Sequence, residues 1–213
     1  MRIVQWIEPL FEDRAAAGRE LGAALAAHGV DNPIVVGVAR GGVAVAAEVA
    51  RTLEVPLTAI DVERVNALGR RLGATTAGAP AYLGDDHDLP EEEVHRAIEH
   101  ARRAAAALDE RLGHESLAVA DRTAIVVDDG LVTGLTLAAA CRWARAESAT
   151  RIVAATPVGR VAGLALLHGE ADQVVCPHPL EQLAVVGQAY ESFDSLEEWY
   201  IAALLKHAAR GAD

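Results

Sequence analysis

The strongest constraint on the fold is an alternation of short β-branched runs with longer segments of helical periodicity. Continuous apolar runs bounded by turn or charged residues are typical of strands buried on both faces of a sheet. The runs are 33–38, 55–62, 123–127, 151–155 and a weaker one at 173–176. The segments of helical periodicity are 13–28, 43–53, 135–147 and 162–168. This alternation predicts βαβ units, and therefore an α/β fold with an open, mainly parallel twisted sheet and flanking helices.

Two consecutive segments interrupt the alternation. Residues 66–90 are rich in glycine, proline and charge and are long for a connection, which predicts a mobile loop. Residues 90–113 form a strongly helical insert, in which Glu92 and Arg96 have the i,i+4 spacing of a solvated helical face. No linker of proline, serine and glycine divides the chain. We therefore expect a single domain, 1–213, with a small hood that includes the insert.

The C-terminal region predicts one more helix. Asp194 followed by Glu197 resembles a capping box, which is typical of a helix start. An apolar stripe of helical spacing follows, made of Leu196, Trp199, Tyr200, Ala203 and Leu204. Such a stripe predicts packing in the core or in a dimer interface.

The composition excludes several classes of protein. With 52% apolar residues among 213, the chain has enough material for a buried core. No apolar run reaches the roughly 18 residues of a membrane span, and Glu8, Glu12 and Asp13 interrupt the region where a signal peptide is apolar. Cys141 and Cys176 are the only cysteines, which fits a reducing compartment. We expect a soluble, cytoplasmic protein that binds no membrane, and a net charge of −12 disfavours nucleic-acid binding.

The most informative motif follows the run 123–127. Two adjacent carboxylates, Asp128 and Asp129, end the predicted strand, and a short loop then opens the next helix. The loop contains Gly130, Thr133, Gly134 and Thr136. Backbone N–H groups at a helix start, together with threonine hydroxyls, form a cradle for a phosphate monoester. Adjacent carboxylates accept hydrogen bonds from a vicinal diol or bind a hard divalent cation, so the motif predicts a phosphorylated sugar as ligand.

Other interpretations of this motif are weaker. A helix cap needs only one of the two acids and neither of the two threonines. The Gly-Lys-Ser/Thr ending of a Walker P-loop is absent, and no acidic residue stands in the context of a dinucleotide fingerprint.

The stretch Asp-Asp-Gly-Leu-Val-Thr-Gly-Leu-Thr at 128–136 resembles the phosphoribosyl pyrophosphate (PRPP) loop of the type I phosphoribosyltransferases. A second element, Val-Ala-Arg-Gly-Gly at 38–42, resembles the pyrophosphate-binding loop of the same family. The resemblance covers residues 13–192 and is closest to stand-alone bacterial members. It implies that 66–90 is a flexible lid, that 176–192 recognises the acceptor base, and that the protein is a homodimer.

The resemblance also implies roles for the matched residues. Asp128, Asp129 and Arg40 would be catalytic, and Asp128 and Asp129 would bind Mg²⁺ together with Glu191. Substrate binding is implied for Arg40 and Gly41 at the pyrophosphate, Asp128 and Asp129 at the ribose, and Thr133, Gly134, Leu135 and Thr136 at the 5′-phosphate. Leu183 and Val185 belong to the implied base-recognition segment, and Gly42, Arg64, Gly130 and Val132 are further implied substrate-binding residues.

The acceptor side departs from the purine-salvage branch of the family. Val132 stands where that branch has an aspartate that exchanges a proton with the base, and Thr-Pro-Val-Gly at 156–159 lacks its lysine. Leu183 stands where that branch has a stacking aromatic residue. We therefore expect transfer of the phosphoribosyl group from PRPP to a nitrogen nucleophile other than a 6-oxopurine. A pyrimidine and a non-nucleobase acceptor stay open, as does a non-catalytic PRPP- or nucleotide-binding regulator, because Glu63 places an acid beside Arg64.

Overall fold

The computed structural model describes residues 8–84, 88–112 and 117–210, and a five-stranded parallel sheet lies at its centre. The strands are β1 (Pro33–Ala39), β2 (Leu57–Asp61), β3 (Glu63–Ala67), β4 (Arg70–Thr75), β5 (Tyr82–Leu83), β6 (Thr123–Val127), β7 (Arg151–Ala155), β8 (Val158–Arg160), β9 (Gln173–Val175) and β10 (His178–Leu180). The helices are α1 (Arg14–Ala26), α2 (Gly41–Leu53), α3 (Glu91–Leu112), α4 (Leu135–Ala146), α5 (Val161–Leu167), a 3₁₀ turn at Val186–Ala189 and α6 (Glu198–Arg210). The central order β2-β1-β6-β7-β9, with all neighbours parallel, confirms the predicted open sheet.

Helices cover both faces of the central sheet because its strands are apolar on both sides. All five residues of β6 are buried. Ala124 and Val126 belong to the cluster that contains α4, whereas Ile125 and Val127 belong to the cluster that contains α2. This alternation is the period-2 geometry of a strand, and it places the end of β6 between two layers of helices. Within the described residues, no helix combines the length and the apolar character needed to cross a membrane.

The segment 66–90 differs from the predicted loop. Its first part belongs to a hairpin in which β3 pairs antiparallel with β4, and β4 also pairs with β5. The hairpin turn uses Leu68 and Gly69, whose φ angles are 49° and 74°. Val65 and Leu72 are buried against α3. This burial stabilises a small three-stranded sheet where glycine and charge content alone predicted an open loop.

The predicted insert is α3, and it is solvated on only one side. Its buried face is made of Val94, Ala97, Ala101, Ala105, Leu108 and Leu112. The first half of this face covers the β3–β4 hairpin, and the second half packs into the cluster that includes β2 and α6. On the other face, Arg96 NH2 lies 2.6 Å from Glu93 Oε1 and 3.8 Å from Glu92 Oε1. The helix is therefore an amphipathic connection between the hairpin and the central sheet.

The C-terminal stripe, predicted to pack in the core or in a dimer interface, is not the buried face of helix α6. The core alternative is therefore wrong for Trp199 and Tyr200, and the dimer alternative stays a prediction. Helix α6 begins at Glu198 rather than after a capping box at Asp194. The exposed fractions are 0% for Ile201, 5% for Leu205, 71% for Trp199 and 39% for Tyr200. The buried i,i+4 pair packs into the cluster with α2 and β2, and this contact rotates the two aromatic side chains outward.

This orientation leads to a prediction about stability. We expect Ile201→Ala to lower the free energy of unfolding by about 2–5 kcal/mol, because it leaves a cavity in a closed cluster. Trp199→Ala should change it by less than about 0.5 kcal/mol, because that side chain is exposed. Urea denaturation of both variants beside the parent protein measures the difference. Equal losses would show that Trp199 is covered in solution.

Candidate functional site

A continuous cleft opens at the carboxyl ends of β1 and β6, which is where ligands bind in open parallel α/β sheets. It contains two adjoining cavities with volumes of about 430 and 850 Å³. Both are lined by Arg40, Gly41, Arg64, Arg71, Asp129, Val132, Thr133 and Val186. The smaller cavity adds Asp128, Gly130, Gly134 and Thr136. The structure thus brings together most of the residues that the two sequence motifs indicated.

Asp128 and Asp129 extend from the end of β6 into the smaller cavity. The Asp128 N–H donates to the Ala155 carbonyl of β7 at 3.2 Å, so the strand pairing continues up to the first carboxylate. The Asp129 N–H then donates to Oδ1 of Asp128 at 2.9 Å, which orients that carboxylate. Burial and the adjacent Asp129 charge raise the pKa of the Asp128 carboxyl well above its ordinary range. Hydrogen bonds from hydroxyl groups, or a bound cation, would stabilise the two adjacent carboxylates in their charged form.

Arg14, which no sequence pattern indicated, holds the second carboxylate. Its Nε donates to Oδ2 of Asp129 at 2.7 Å, and the two side chains are only 12% and 13% exposed. The Arg14 guanidinium lies over the Phe193 ring, with Cζ 3.8 Å from the ring centroid. The Tyr190 hydroxyl donates to the backbone carbonyl of Asp129. Burial raises the pKa of the Asp129 carboxyl, and the Arg14 charge opposes that rise.

The loop after the two aspartates leads directly into α4. Gly134 has φ +81°, and a Cβ there would lie 2.5 Å from the carbonyl oxygen of Gly163, so glycine is required at this position. The first N–H groups of α4 have no partner inside the helix, and they are available to an anion. Leu135 is the first residue of α4 and its side chain lines neither cavity. Its predicted contribution to phosphate binding therefore rests on its backbone N–H.

The second predicted loop joins β1 to α2 and lies against the aspartates. The peptide bond before Arg40 is cis, and Arg40 lines both cavities. A Cβ on Gly41 would overlap the carboxylate of Asp129, with only 2.7 Å to its Cγ. A Cβ on Gly42 would lie 2.6 Å from the carbonyl oxygen of Val127. Gly42 therefore allows α2 to pack closely on the end of β6, and it lines neither cavity, so its predicted part in substrate binding stays a prediction.

Two arginines of the β3–β4 hairpin complete the cleft. Arg64 and Arg71 line both cavities, and NH2 of Arg71 donates to the Thr136 hydroxyl at 2.9 Å. Burial and the nearby Arg64 charge lower the pKa of Arg71. With Arg40, whose NH1 lies 3.8 Å from Glu198 Oε1, these residues place three arginines around one cavity, an arrangement suited to a phosphate-rich anion. Glu63 lines the smaller cavity beside them.

The acceptor side differs from the prediction at Leu183. This side chain is buried in an apolar cluster with Phe11 and Tyr190, and it lines neither cavity. Burial in that cluster removes its apolar surface from water, which an exposed position at the cleft would not do. Val185, by contrast, is exposed and lines the larger cavity, while Val186 lines both. Of the two predicted acceptor contacts, Val185 therefore lies at the cleft and Leu183 does not, and Val186 adds to the apolar wall.

Glu191 is also not brought to the two aspartates. It is exposed and lines neither cavity, and its N–H donates to the Phe11 carbonyl at 2.9 Å. In the parts of the chain that the structure describes, no group of three or more His, Cys, Asp or Glu side chains is placed to hold a metal ion. Mg²⁺ is commonly bound by one or two carboxylates together with substrate phosphates. The donor chemistry of Asp128 and Asp129 fits a Mg²⁺ ion of that kind.

The sequence matches the phosphoribosyl transferase domain family over residues 12–190. The chain belongs to this family. Two curated Mycobacterium tuberculosis proteins, both named "Putative phosphoribosyl transferase", are each 35% identical to it over 94% of this chain and 47% of their own length. This phosphoribosyl transferase domain thus spans about half the length of the curated relatives it matches. The crystal structure of TT1426 from Thermus thermophilus is 32% identical, with a TM-score of 0.80 over 92% of this chain and 98% of that one.

The family membership that the two loops indicated is confirmed. Two residues at the cleft of this phosphoribosyl transferase domain, Arg14 and Phe193, had no sequence signal. Val186 and Tyr190 lie inside the segment 176–192 that the resemblance implied for base recognition, but neither was named as a site residue. Arg14 and Asp129 are 115 positions apart, so their spacing carries no local periodicity. Tyr190 and Phe193 follow a stretch without regular helix or strand pattern, and only the folded chain shows what they contact.

Proposed function

We propose that this phosphoribosyl transferase domain transfers the phosphoribosyl group of PRPP to a nitrogen nucleophile, with Mg²⁺ and with release of pyrophosphate. The observation that carries the proposal is the meeting of three kinds of group around one cavity. These are a carboxylate pair, the glycine and threonine loop at the start of α4, and three arginines. PRPP carries the three complementary groups, namely a vicinal diol, a phosphate monoester and a pyrophosphate.

The sugar is held from two sides in this arrangement. Asp128 and Asp129 accept hydrogen bonds from the ribose hydroxyls, and the N–H groups of 133–136 donate to the 5′-phosphate. Holding both ends of the sugar fixes the anomeric carbon relative to the incoming nucleophile. Positioning of this kind lowers a barrier by several kcal/mol, up to about 7–11 kcal/mol in ideal cases.

The leaving group is held by the arginines. As the bond to the anomeric carbon breaks, negative charge grows on the pyrophosphate, and Arg40, Arg64 and Arg71 stabilise it. Mg²⁺, when bound through Asp128 and Asp129, supplies a Lewis acid that neutralises charge on the phosphate oxygens. Arg71 belongs to the segment predicted as a lid, so closure of the β3–β4 hairpin would bring its charge toward the pyrophosphate.

The acceptor wall supports a nucleophile other than a 6-oxopurine. Val132, Val185 and Val186 line the cleft with apolar surface and carry no group that exchanges a proton. Thr156, at the start of the segment where purine-salvage enzymes have a lysine, is buried, and its hydroxyl donates to the Val158 carbonyl at 3.1 Å. That hydroxyl is therefore not available to the exocyclic oxygen of a purine.

The proposal is tested by pyrophosphate release from PRPP in the presence of Mg²⁺ and a panel of pyrimidines, purines and amines. We expect release with at least one nitrogen nucleophile, little release with hypoxanthine or guanine, and none after chelation of the metal. Reactions without acceptor serve as the control for PRPP hydrolysis. Rapid release with a 6-oxopurine would contradict the proposed acceptor class.

A second function, a PRPP-binding regulator without turnover, is favoured by one observation. Glu63 lines the cavity that contains the arginines, and an acid there weakens their attraction for pyrophosphate. Calorimetry on the same protein separates the two functions. Tight PRPP binding, with no pyrophosphate released from PRPP in the presence of any acceptor, would support the regulator and overturn the transferase.

A further inference from the structure

We propose that Arg14 is a positioning residue that holds the Asp129 carboxylate in place for the ribose and couples it to residues 189–194, here called the strap. The inference deepens the proposed function and rests on it, because it concerns how the sugar of PRPP is held. It assigns a role to the start of α1, which none of the sequence motifs covers.

The contacts of Arg14 link three separate parts of the chain. Its Nε donates to Oδ2 of Asp129 at 2.7 Å, and its NH1 donates to the backbone carbonyl of Asp194 at 3.0 Å. The face of the guanidinium lies on the Phe193 ring. A guanidinium is planar, with donors at fixed angles, so these contacts also fix the partners relative to each other. The Arg14 contact to Asp129 is made through Oδ2.

The strap holds Asp129 a second time through its backbone. The Tyr190 hydroxyl donates to the Asp129 carbonyl, and the Tyr190 and Phe193 rings lie 5.0 Å apart. The strap is itself anchored beside Arg14, since the Phe11 N–H donates to the Ala189 carbonyl at 3.1 Å. The start of α1 and the strap therefore form one unit that holds both the side chain and the main chain of Asp129.

Asp129 needs such a support because its surroundings disfavour its position. It follows another buried carboxylate directly, and like charges in a medium of low dielectric repel each other. Gly41 leaves it room, since a Cβ there would overlap the carboxylate and would lie 3.3 Å from Arg14 Nε. Without Arg14, rotation of the Asp129 side chain away from Asp128 would relieve the repulsion and remove the carboxylate from the ribose site.

The test compares Arg14→Gln and Arg14→Lys with Arg19→Gln, an exposed arginine on the same helix. Calorimetry measures the binding of PRPP and ribose 5-phosphate with Mg²⁺, and of pyrophosphate without Mg²⁺, to each variant. We expect Arg14→Gln to weaken ribose 5-phosphate and PRPP by about tenfold or more, the usual scale for residues that orient a ligand-binding group. Without Mg²⁺, Asp129 has no proposed part in pyrophosphate binding, so pyrophosphate should bind within about twofold of the parent protein. Arg14→Lys should be intermediate, and Arg19→Gln should match the parent.

Each other outcome has a distinct meaning. Unchanged ribose 5-phosphate binding by Arg14→Gln overturns the inference and leaves the proposed function intact, whereas a parent protein that binds neither PRPP nor ribose 5-phosphate overturns the proposed function. Equal weakening of all three ligands overturns the positioning role in favour of a purely structural one. If Arg14→Gln does not fold, Phe193→Leu provides the test, because it removes the stacked ring and keeps the Arg14 and Asp129 pair. It should weaken ribose 5-phosphate without affecting pyrophosphate, and no change would overturn the coupling to the strap.

Discussion

Asp128→Asn is expected to weaken PRPP binding about 10- to 100-fold, which is the value of a hydrogen bond to a charged acceptor. The same substitution should stabilise the folded protein in the absence of metal and ligand. The amide keeps the acceptor for the Asp129 N–H but removes a buried negative charge that has another carboxylate beside it. Opposite effects on binding and stability are typical of a group that is held for a ligand rather than for the fold.

The stability effect has a definite dependence on pH. The folded-state pKa of Asp128 is raised, so the folded protein binds a proton that the unfolded chain releases. The free energy of unfolding of the parent protein therefore decreases as the pH rises from the ordinary carboxyl pKa toward the raised pKa of Asp128. The Asp128→Asn variant lacks this carboxyl and should not show that decrease. In urea denaturation with a chelator, the variant should exceed the parent protein in free energy of unfolding by more at pH 8 than at pH 5. Asp31→Asn, an exposed residue before β1, is the control, and a destabilised Asp128→Asn variant would contradict the argument.

Gly41→Ala should abolish measurable PRPP binding, with a loss of at least about 100-fold. The new Cβ would overlap the Asp129 carboxylate, so either that carboxylate rotates out of the cavity or the start of α2 shifts away. Both movements separate the two loops whose contact defines the site. Overpacking of this kind also costs about 1–3 kcal/mol of stability.

The matched control for this substitution is Gly169→Ala, because a Cβ at Gly169 meets no atom within 4 Å. Calorimetry with PRPP and thermal denaturation of both variants provide the two readouts. Gly169→Ala should bind like the parent protein. Normal PRPP affinity in Gly41→Ala would show that the loop at 40–42 does not approach the aspartates in solution.

Local sequence patterns were sufficient to predict the central sheet and the two loops at 38–42 and 128–136. Strands such as β1 and β6 are buried on both faces, so their apolar runs are visible without any knowledge of their neighbours. The motif at 128–136 is contiguous, because a strand end followed by a helix start brings carboxylates and N–H groups together within a few residues. Local patterns were insufficient to predict the strands in the segment 66–90. There the burial of Leu72 under α3, together with Val65 on the paired strand β3, outweighs a composition typical of loops.

The sequence by itself determined the parallel α/β sheet, the family and the residue types of the two loops that we propose hold ribose and phosphate. Tertiary structure alone decided which face of α6 is buried, that Leu183 packs inside while Val186 lines the cleft, and that Arg14 holds Asp129. The reason is the range of the interactions. Backbone geometry and hydrophobic periodicity act over neighbouring residues and leave a pattern in the chain, whereas packing and ion pairing join residues more than a hundred positions apart and leave none.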